Sequence, residues 1–216
     1  MGQHVPATTV RGQYFYLYLF LDVFSRKMVG WQVYAEENSV LASEVLRDLC
    51  AREAILPNQV ILHSDNGGPM KAATMLATLQ ALGVMPSLSR PGVSDDNPYS
   101  ESLFKTLKYR PAYPLKAFDT LLAARTGVGT LVRWYNHEHR HSAIQFVKPA
   151  QRHANLDQDI LDRRAALYET ARQRNPLRWK GPTRNWQRVH AVHLNPDRSD
   201  NQGVVPQRRD RERKAA

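Results

Sequence analysis

An α/β fold, with a mixed sheet and helices on its faces, is predicted by three observations in this sequence. Short runs rich in aromatic and β-branched residues alternate with longer runs that have helical spacing. Turn-forming clusters such as SDNGGP (64–69) separate these runs. Hydrophobic residues make up 42% of the 216 residues, which is enough to bury a core of ordinary size.

The N-terminal part begins with a predicted strand pair. Residues 14–24 and 28–35 are apolar runs separated by SRK, which favours a hairpin. A helix is predicted over 39–53 with Ser39 as its N-cap. The apolar run 60–63 is then a short strand that ends in the breaker cluster.

Helices dominate the rest of the chain. The spacing predicts helices over 70–82 (closed by Gly83), 98–108 and about 117–136, with a short strand over 84–89. A charged helix is predicted over 151–175 and a short strand over 189–194. Pro149 and a change in composition place a domain boundary near 150, which gives a core domain (1–150) and a basic helical C-terminal extension (151–216).

Charge gives the first indication of function. The formal net charge is +10, of which residues 1–150 contribute 15 basic and 12 acidic residues and residues 151–216 contribute 15 and 8. Such an excess is typical of proteins that bind a polyanion, most often nucleic acid. For the last dozen residues, a solubilising tail explains the charge equally well.

Other features limit the class of protein. The longest apolar stretch, 14–24, is too short to span a bilayer, so we expect no membrane association. The N-terminus lacks the pattern of a secretory signal. Cys50 is the only cysteine, which excludes intrachain disulfides and cysteine-based zinc ribbons and favours the reducing cytoplasm.

One helix carries a stripe of charge. Glu101, Lys105 and Lys108 are spaced i, i+4 and i+7 in the helix 98–108, whose buried side is supplied by Ser100, Leu103, Phe104 and Leu107. The stripe is either a solvated salt-bridge ladder or a carboxylate beside two phosphate-binding lysines. The helix alone does not decide between them.

Asp65 directly follows the predicted strand 60–63. An acid there can point into a crevice, although Asp-Asn-Gly is also ordinary turn chemistry. Thirty-five residues separate Asp65 from Glu101, enough for a helix, a strand and a loop that would bring the two carboxylates together. Two such acids could share divalent metal ions, as phosphodiester chemistry requires.

Four stretches resemble insertion sequence transposases of the DDE class, which are similar to retroviral integrases and have an RNase H-like fold. They are YLYLFLDVFSRKMVGWQV, VILHSDNGGPM, LGVMPSLSRPGVSDDNPYSESLFKTLKY and WYNHEHRHSAI, and they cover about 14–150. The resemblance implies that Asp65 and Glu101 are the second and third metal-binding acids, with Mg²⁺ or Mn²⁺ as cofactor. It also implies that Lys105 and Lys108 contact DNA, and that the active assembly is a homo-oligomer.

The sequence departs from this family at its N-terminus. The first aspartate of the family lies on the first strand in a W-D-[IV]-T-x-[LI] motif, and no such motif precedes PATTVRG here. We therefore expect the first strand to be missing and the chain to be inactive alone. Asp22 is not expected to substitute, since the family often carries an aspartate there as well.

Two other functions come from different classes. A non-catalytic nucleic-acid-binding remnant would keep the fold and the basic surface. A zinc metallopeptidase is the more distant alternative, because HEHRH (137–141) matches the H-E-x-x-H pattern, although no convincing third ligand follows. Trp179, Trp186 and the arginines of 172–188 either form a nucleic-acid surface or pack on the core.

Overall fold

The computed structural model describes residues 14–90, 98–110 and 117–194, together with the backbone of one further strand near the N-terminus. The strands are β1 (Gly2–Pro6), β2 (Tyr14–Leu21), β3 (Met28–Tyr34), β4 (Ile61–Ser64) and β5 (Met85–Leu88). The helices are α1 (Ser39–Arg52), α2 (Gly68–Lys71), α3 (Ala73–Leu82), α4 (Pro98–Lys108), α5 (Leu121–His137), α6 (Pro149–His153) and α7 (Asp157–Arg174). Single 3-10 turns lie at Ser142–Ile144 and Pro176–Arg178.

The strands form two ladders. β1, β2 and β3 make an antiparallel sheet in that order, whereas β4 and β5 pair in parallel. The expectation that the first strand is missing is therefore wrong, because Gly2–Pro6 pairs with β2 from Gly2↔Tyr18 to Pro6↔Tyr14. Strand pairing is made by backbone hydrogen bonds, so a segment without the expected motif can still form it.

The sheet is covered on both faces. Leu17 and Leu19 of β2 face a cluster that includes α4 and α5, while Tyr18 and Phe20 face a second cluster that includes α1 and α3. Successive side chains of a strand point to opposite faces, so this alternation follows from the uninterrupted apolar run. The predicted α/β layering, with a hairpin of β2 and β3, is confirmed.

Side chains cover the outer edge of β3. The Asn136 amide accepts a hydrogen bond from the Met28 backbone N–H (2.9 Å) and donates one to the Met28 carbonyl (3.0 Å). Arg125 donates to the Val33 carbonyl at 2.9 Å and Arg52 donates to the Val29 carbonyl at 3.2 Å. These contacts satisfy backbone groups that would otherwise offer a template for strand addition.

Helix boundaries differ from the predictions at two breaks. The helix predicted over 70–82 is interrupted at Ala72, whose ψ of 145° is extended, so it forms the two helices α2 and α3. The helix predicted over 151–175 is divided into α6 and α7, and Asn155 between them has a φ of 56°. Asparagine tolerates this left-handed conformation better than most residues.

Helix ends elsewhere follow local capping chemistry. Asn38, not the predicted Ser39, caps α1, and its side chain accepts a hydrogen bond from the Val40 N–H at 2.8 Å. Gly83 ends α3 as predicted, with a φ of 63°. A side chain at Gly83 would also collide with Pro57, since an added Cβ would lie 2.6 Å from the Pro57 Cβ.

The segment after residue 150 packs on the hairpin. Arg152 is fully buried, and its guanidinium donates to the Phe24 carbonyl at 2.9 Å and contacts the Asp157 carboxylate at 3.4 Å. Arg188 donates to the same carboxylate at 2.9 Å. The predicted boundary at 150 falls within α6.

Residues 189–194 are not the predicted strand. Their carbonyls are bound by distant side chains instead: Arg152 donates to Val189, and Tyr99 donates to His193. Among the residues that the structure describes, no helix combines the length and apolar character needed to cross a membrane.

Candidate functional site

Asp65 lies immediately after β4, where the sequence placed it. Its Oδ1 accepts a hydrogen bond from the Gly67 N–H at 3.2 Å, so the acid does shape the turn. A Cβ at Gly67 would lie 3.1 Å from that Oδ1, so a side chain there would require the carboxylate to shift by a few tenths of an ångström. The Asp65 side chain is half-buried.

The ends of β4 and β5 are tied together beneath Asp65. The Ser89 N–H donates to the Ser64 carbonyl at 2.9 Å, and the Asn66 amide donates to the Ser89 carbonyl at 2.7 Å. His63 and Ser87 also share a hydrogen bond of 2.9 Å between the strands. These bonds fix the backbone on which Asp65 stands, as a site built on a rigid element requires.

Helix α4 presents the predicted stripe to solvent. Leu103 and Leu107 are buried in the cluster beneath the sheet, and Glu101, Lys105 and Lys108 are exposed. Glu101 in the first turn and the lysines in the last turn also suit the helix dipole. Within the described part of the chain, no ion pair joins Glu101 to either lysine, which disfavours the salt-bridge ladder.

Two residues that sequence reasoning missed hold the start of α4. The Arg26 guanidinium lies over the Tyr99 ring, 4.1 Å from its centroid, and the Tyr99 hydroxyl donates to the His193 carbonyl at 2.6 Å. Arg26 is 7% exposed and has a φ of 66°. Tyr99 precedes Glu101 by two residues, so these contacts orient the helix that carries Glu101.

The meeting of Asp65 and Glu101 across a crevice stays a prediction. Residues 91–97, which connect the two halves of the site, lie outside the described residues. Over the ranges that are described, no group of three or more His, Cys, Asp or Glu side chains could hold a metal ion. Two carboxylates are the correct kind of ligand for Mg²⁺ but fall short of a complete two-metal set.

Asp22 is occupied by other contacts. Its carboxylate accepts hydrogen bonds from the backbone N–H groups of Phe24 (3.0 Å) and Ser25 (3.2 Å) and from the Ser25 hydroxyl, and lies 3.1 Å from His153 Nδ1. Burial raises the pKa of Asp22, but the hydrogen bonds from Ser25 and His153 outweigh it and hold the pKa below its ordinary value. A carboxylate held in this way is a turn and docking residue rather than a free metal ligand.

The HEHRH segment does not have the geometry of a zinc peptidase. Helix α5 ends at His137 and Glu138 is its C-cap, so His141 lies outside the helix. His141 Nδ1 accepts a hydrogen bond from the Ala143 N–H at 3.2 Å, and the His139 ring stacks on Tyr135 with centroids 5.4 Å apart. The motif needs two histidines one turn apart on a single helix, and this arrangement is therefore absent from the segment.

This packing makes His141 sensitive to pH. Burial, with the nearby Arg26 and His139, lowers its pKa from 6.5 to about 4. The unfolded chain binds this proton more readily, so stability should be full above pH 6.5 and fall as the pH drops toward 4. After allowance for solvent screening, we expect a loss of about 2 kcal/mol.

Urea unfolding at pH 7.5 and pH 4.5 measures this loss. The His141→Asn variant keeps an acceptor for the Ala143 N–H but removes the titrating ring, so the loss should shrink. An equal loss in the variant and the parent chain would show that His141 is not the group responsible.

Comparison with known proteins places most of the chain among integrase core domains. Two family models described as integrase core domain match residues 4–94 and residues 82–149. The transposase for insertion sequence element IS904 of Lactococcus lactis subsp. lactis (strain IL1403) is 32% identical over 135 residues, which cover 62% of this chain and 53% of the relative. The transposase InsF for insertion sequence IS3A of Escherichia coli (strain K12) is 29% identical over 136 residues (63% and 47%).

Solved structures show the same fold. The catalytic core domain of BIV integrase matches with a TM-score of 0.51 at 18% identity, covering 73% of this chain and 95% of that chain. A chain of the simian T-cell lymphotropic virus intasome, in complex with PP2A regulatory subunit B56 gamma, matches with a TM-score of 0.51 at 15% identity (70% and 51%).

The sheet, its helices and these matches define an RNase H-like α/β fold, as predicted. Together the two models match residues 4–149, so this part of the chain is an integrase core domain, and the relatives similar to it are insertion sequence transposases. It spans about half the length of the curated relatives it matches.

Proposed function

We propose that this chain is the catalytic core of an insertion sequence transposase, which cuts and joins phosphodiester bonds of DNA. One observation carries the proposal: an integrase core places Asp65 at a strand end and presents Glu101, Lys105 and Lys108 on one exposed helical stripe. The roles of these four residues are part of the proposal.

Asp65 and Glu101 would hold the divalent metal ions, Mg²⁺ or Mn²⁺. Oxygen ligands from carboxylates, with water and substrate oxygens, are what Mg²⁺ prefers. When bound, such ions activate the attacking oxygen and stabilise the leaving oxygen in an in-line displacement. The hydrogen bond from the Gly67 N–H to Asp65 orients one of these carboxylates in advance.

Lys105 and Lys108 would bind the DNA backbone beside the acids. Both are exposed and lie one and two turns after Glu101, so a phosphate held by them would lie along the same face of α4. The lysine ammonium acts as a point charge and does not read sequence. DNA binding through this stripe should therefore be independent of base sequence and sensitive to salt.

Replacement of both lysines by alanine should weaken DNA binding uniformly across sequences. Because each phosphate contact contributes about 0.9 to the slope of log affinity against log salt, the slope should fall by about 1.8. Fluorescence anisotropy of a labelled duplex at four salt concentrations measures both quantities.

A matched control removes the same charge elsewhere. Lys71 and Arg133 are exposed on other helices, so the Lys71→Ala, Arg133→Ala variant should keep the slope of the parent chain. If the salt slope falls by the same amount in the control and in the Lys105→Ala, Lys108→Ala variant, the effect comes from net charge alone. The stripe then has no special role in DNA binding.

A non-catalytic DNA-binding protein is the second candidate, favoured by the contacts that occupy Asp22. With only two matched acids, the 216-residue chain should bind DNA without cutting it. Adding an upstream segment with a W-D-[IV]-T motif, together with an end-binding region, should give Mg²⁺-dependent cleavage, read on a labelled duplex with transposon ends. Cleavage by the 216-residue chain alone, abolished by Asp22→Ala, would contradict this assignment.

The remaining expectations concern setting and organisation. The active assembly would be a homo-oligomer, which light scattering of the DNA complex would reveal. The reducing cytoplasm suits the lone, buried Cys50 thiol. Residues 1–150 would form the catalytic core and residues 151–216 a basic extension, whose described part (151–194) is held against the core through Arg152.

A further inference from the structure

The C-terminal segment has more basic side chains than its contacts within the fold require. Residues 170–194 contain no acid and six basic side chains, at positions 172, 174, 178, 180, 184 and 188. Three of these side chains contact partners within the fold. Arg172 pairs with Glu169 at 3.5 Å, Arg188 pairs with Asp157, and Arg184 lies over the Phe146 ring at 4.5 Å. The other three basic side chains are exposed.

Arg174, Arg178 and Lys180 are exposed, and across the described ranges none of them has an ion-pair partner. Arg174 lies at the end of α7, where a cation suits the helix dipole. Arg178, which ends the 3-10 turn, and Lys180 follow that helix. Their charge is available to an anionic partner.

A groove of about 310 Å³ lies beside these cations. It is lined by Ala171, Asn175, Arg178 and Trp179. Trp179 is half-buried, with its ring edge-to-face with Tyr168 at 6.1 Å between centroids. Trp186, by contrast, is buried in the cluster with Val147 and Leu161, so it packs on the fold and is not part of the groove.

The chemistry of the lining fits a nucleotide. An indole offers a stacking surface for any base, a guanidinium binds phosphate through paired donors, and an amide can hydrogen-bond a base edge. The volume lies at the lower end of ordinary ligand sites, which are roughly 300–1,000 Å³, so it admits one base rather than a duplex. Double-stranded DNA hides the base faces that an indole would need.

We propose that this C-terminal groove binds an unpaired nucleotide of single-stranded DNA, with the base on Trp179 and the phosphates on Arg178 and Lys180. The inference rests on the proposed function, since it assumes a DNA substrate. It goes further by assigning the extension a second contact, distinct from the Lys105 and Lys108 stripe and selective for unpaired strands.

The test compares a labelled 20-nucleotide oligo-dT with a duplex of the same length, by fluorescence anisotropy with the full chain. Trp179→Ala should weaken oligo-dT binding by roughly 5- to 100-fold, since stacking on an aromatic ring contributes at this level, and leave duplex binding within about twofold. Trp179→Phe keeps a ring against Tyr168 and should recover most of the affinity. Arg178→Gln with Lys180→Gln should lower the single-strand salt slope by about 1.4.

Two controls keep the result interpretable. Lys71→Gln with Arg133→Gln removes the same charge outside the extension and should leave the single-strand slope unchanged. Thermal melting of each variant shows whether Trp179→Ala still folds. If it does not, Trp179→Phe and the Arg178→Gln, Lys180→Gln pair carry the test.

Each other outcome has a defined meaning. The groove assignment would be overturned, while the proposed function stands, if Trp179→Ala weakened oligo-dT and duplex binding equally. The same holds if the salt slope of the Arg178→Gln, Lys180→Gln variant were no lower than that of the Lys71→Gln, Arg133→Gln control. If the parent chain binds neither oligo-dT nor the duplex, the proposed function is overturned instead. Tighter binding of oligo-U than of oligo-dT, lost in Trp179→Ala, would overturn the assignment to DNA.

Discussion

Exchange of Asp65 for Asn is expected to weaken Mn²⁺ binding by about 100-fold or more. Even outer-shell partners of a metal typically contribute 10- to 100-fold in affinity, and Asp65 is assigned as a direct ligand. Asparagine keeps the oxygen that accepts the Gly67 N–H and removes only the negative charge. The change should therefore spare the turn and the fold. Titration of free Mn²⁺ by electron paramagnetic resonance measures the affinity.

Glu101→Gln should have an effect of similar size, and the two variants together test whether the acids share one ion. If they do, the double variant should bind Mn²⁺ no more weakly than the worse single variant, because the shared site is already lost. Glu36→Gln, at an exposed acid in the loop after β3, is the matched control. Unchanged affinity in Asp65→Asn and Glu101→Gln would overturn the metal assignment.

The layered core could be predicted because its signals are local and repeated. The alternation of Leu17, Tyr18, Leu19 and Phe20 is a two-residue period, which sends neighbouring side chains to opposite faces whatever the rest of the chain does. Gly83 likewise marks a helix end through its own backbone conformation. Such features need no knowledge of distant residues.

The helix break at Ala72 and the absence of a strand over 189–194 could not be predicted in the same way. Residues 189–194 contain the branched residues of a strand, but Arg152 and Tyr99 bind their carbonyls from far along the chain. Ala72 is a strong helix former that nonetheless takes an extended conformation between α2 and α3. Tertiary contacts override propensity at residues 189–194.

The candidate site divides along the same line. The spacing of Asp65, Glu101 and the two lysines is visible in the sequence because it follows strand-end and helix geometry. Arg26 and Tyr99 are invisible, since their meeting depends on the left-handed turn at Arg26 and on packing of α4 across the sheet. The residues that orient the candidate site are harder to predict than those proposed to act in it.

The buried Arg152 should be among the most sensitive positions for stability. Arg152→Ala would leave the Phe24 and Val189 carbonyls without their donor and the Asp157 carboxylate with only Arg188. Removing one partner of a buried ion pair typically costs about 3–5 kcal/mol, because the remaining charge stays buried without compensation. It would also open a cavity beside the Phe24 ring, over which the guanidinium lies at 4.2 Å.

Urea unfolding, followed by far-ultraviolet circular dichroism, measures this loss. Arg152→Lys keeps the charge but not the planar fork that reaches three acceptors, so it should recover only part of the stability. Arg163→Ala, on the exposed face of α7, is the matched control and should change the free energy of unfolding by less than about 0.5 kcal/mol. If Arg152→Ala unfolds at the same urea concentration as this control, the network does not hold residues 149–194 on the core, and the extension must be anchored by its other contacts, among them the cluster of Val147, Leu161 and Trp186.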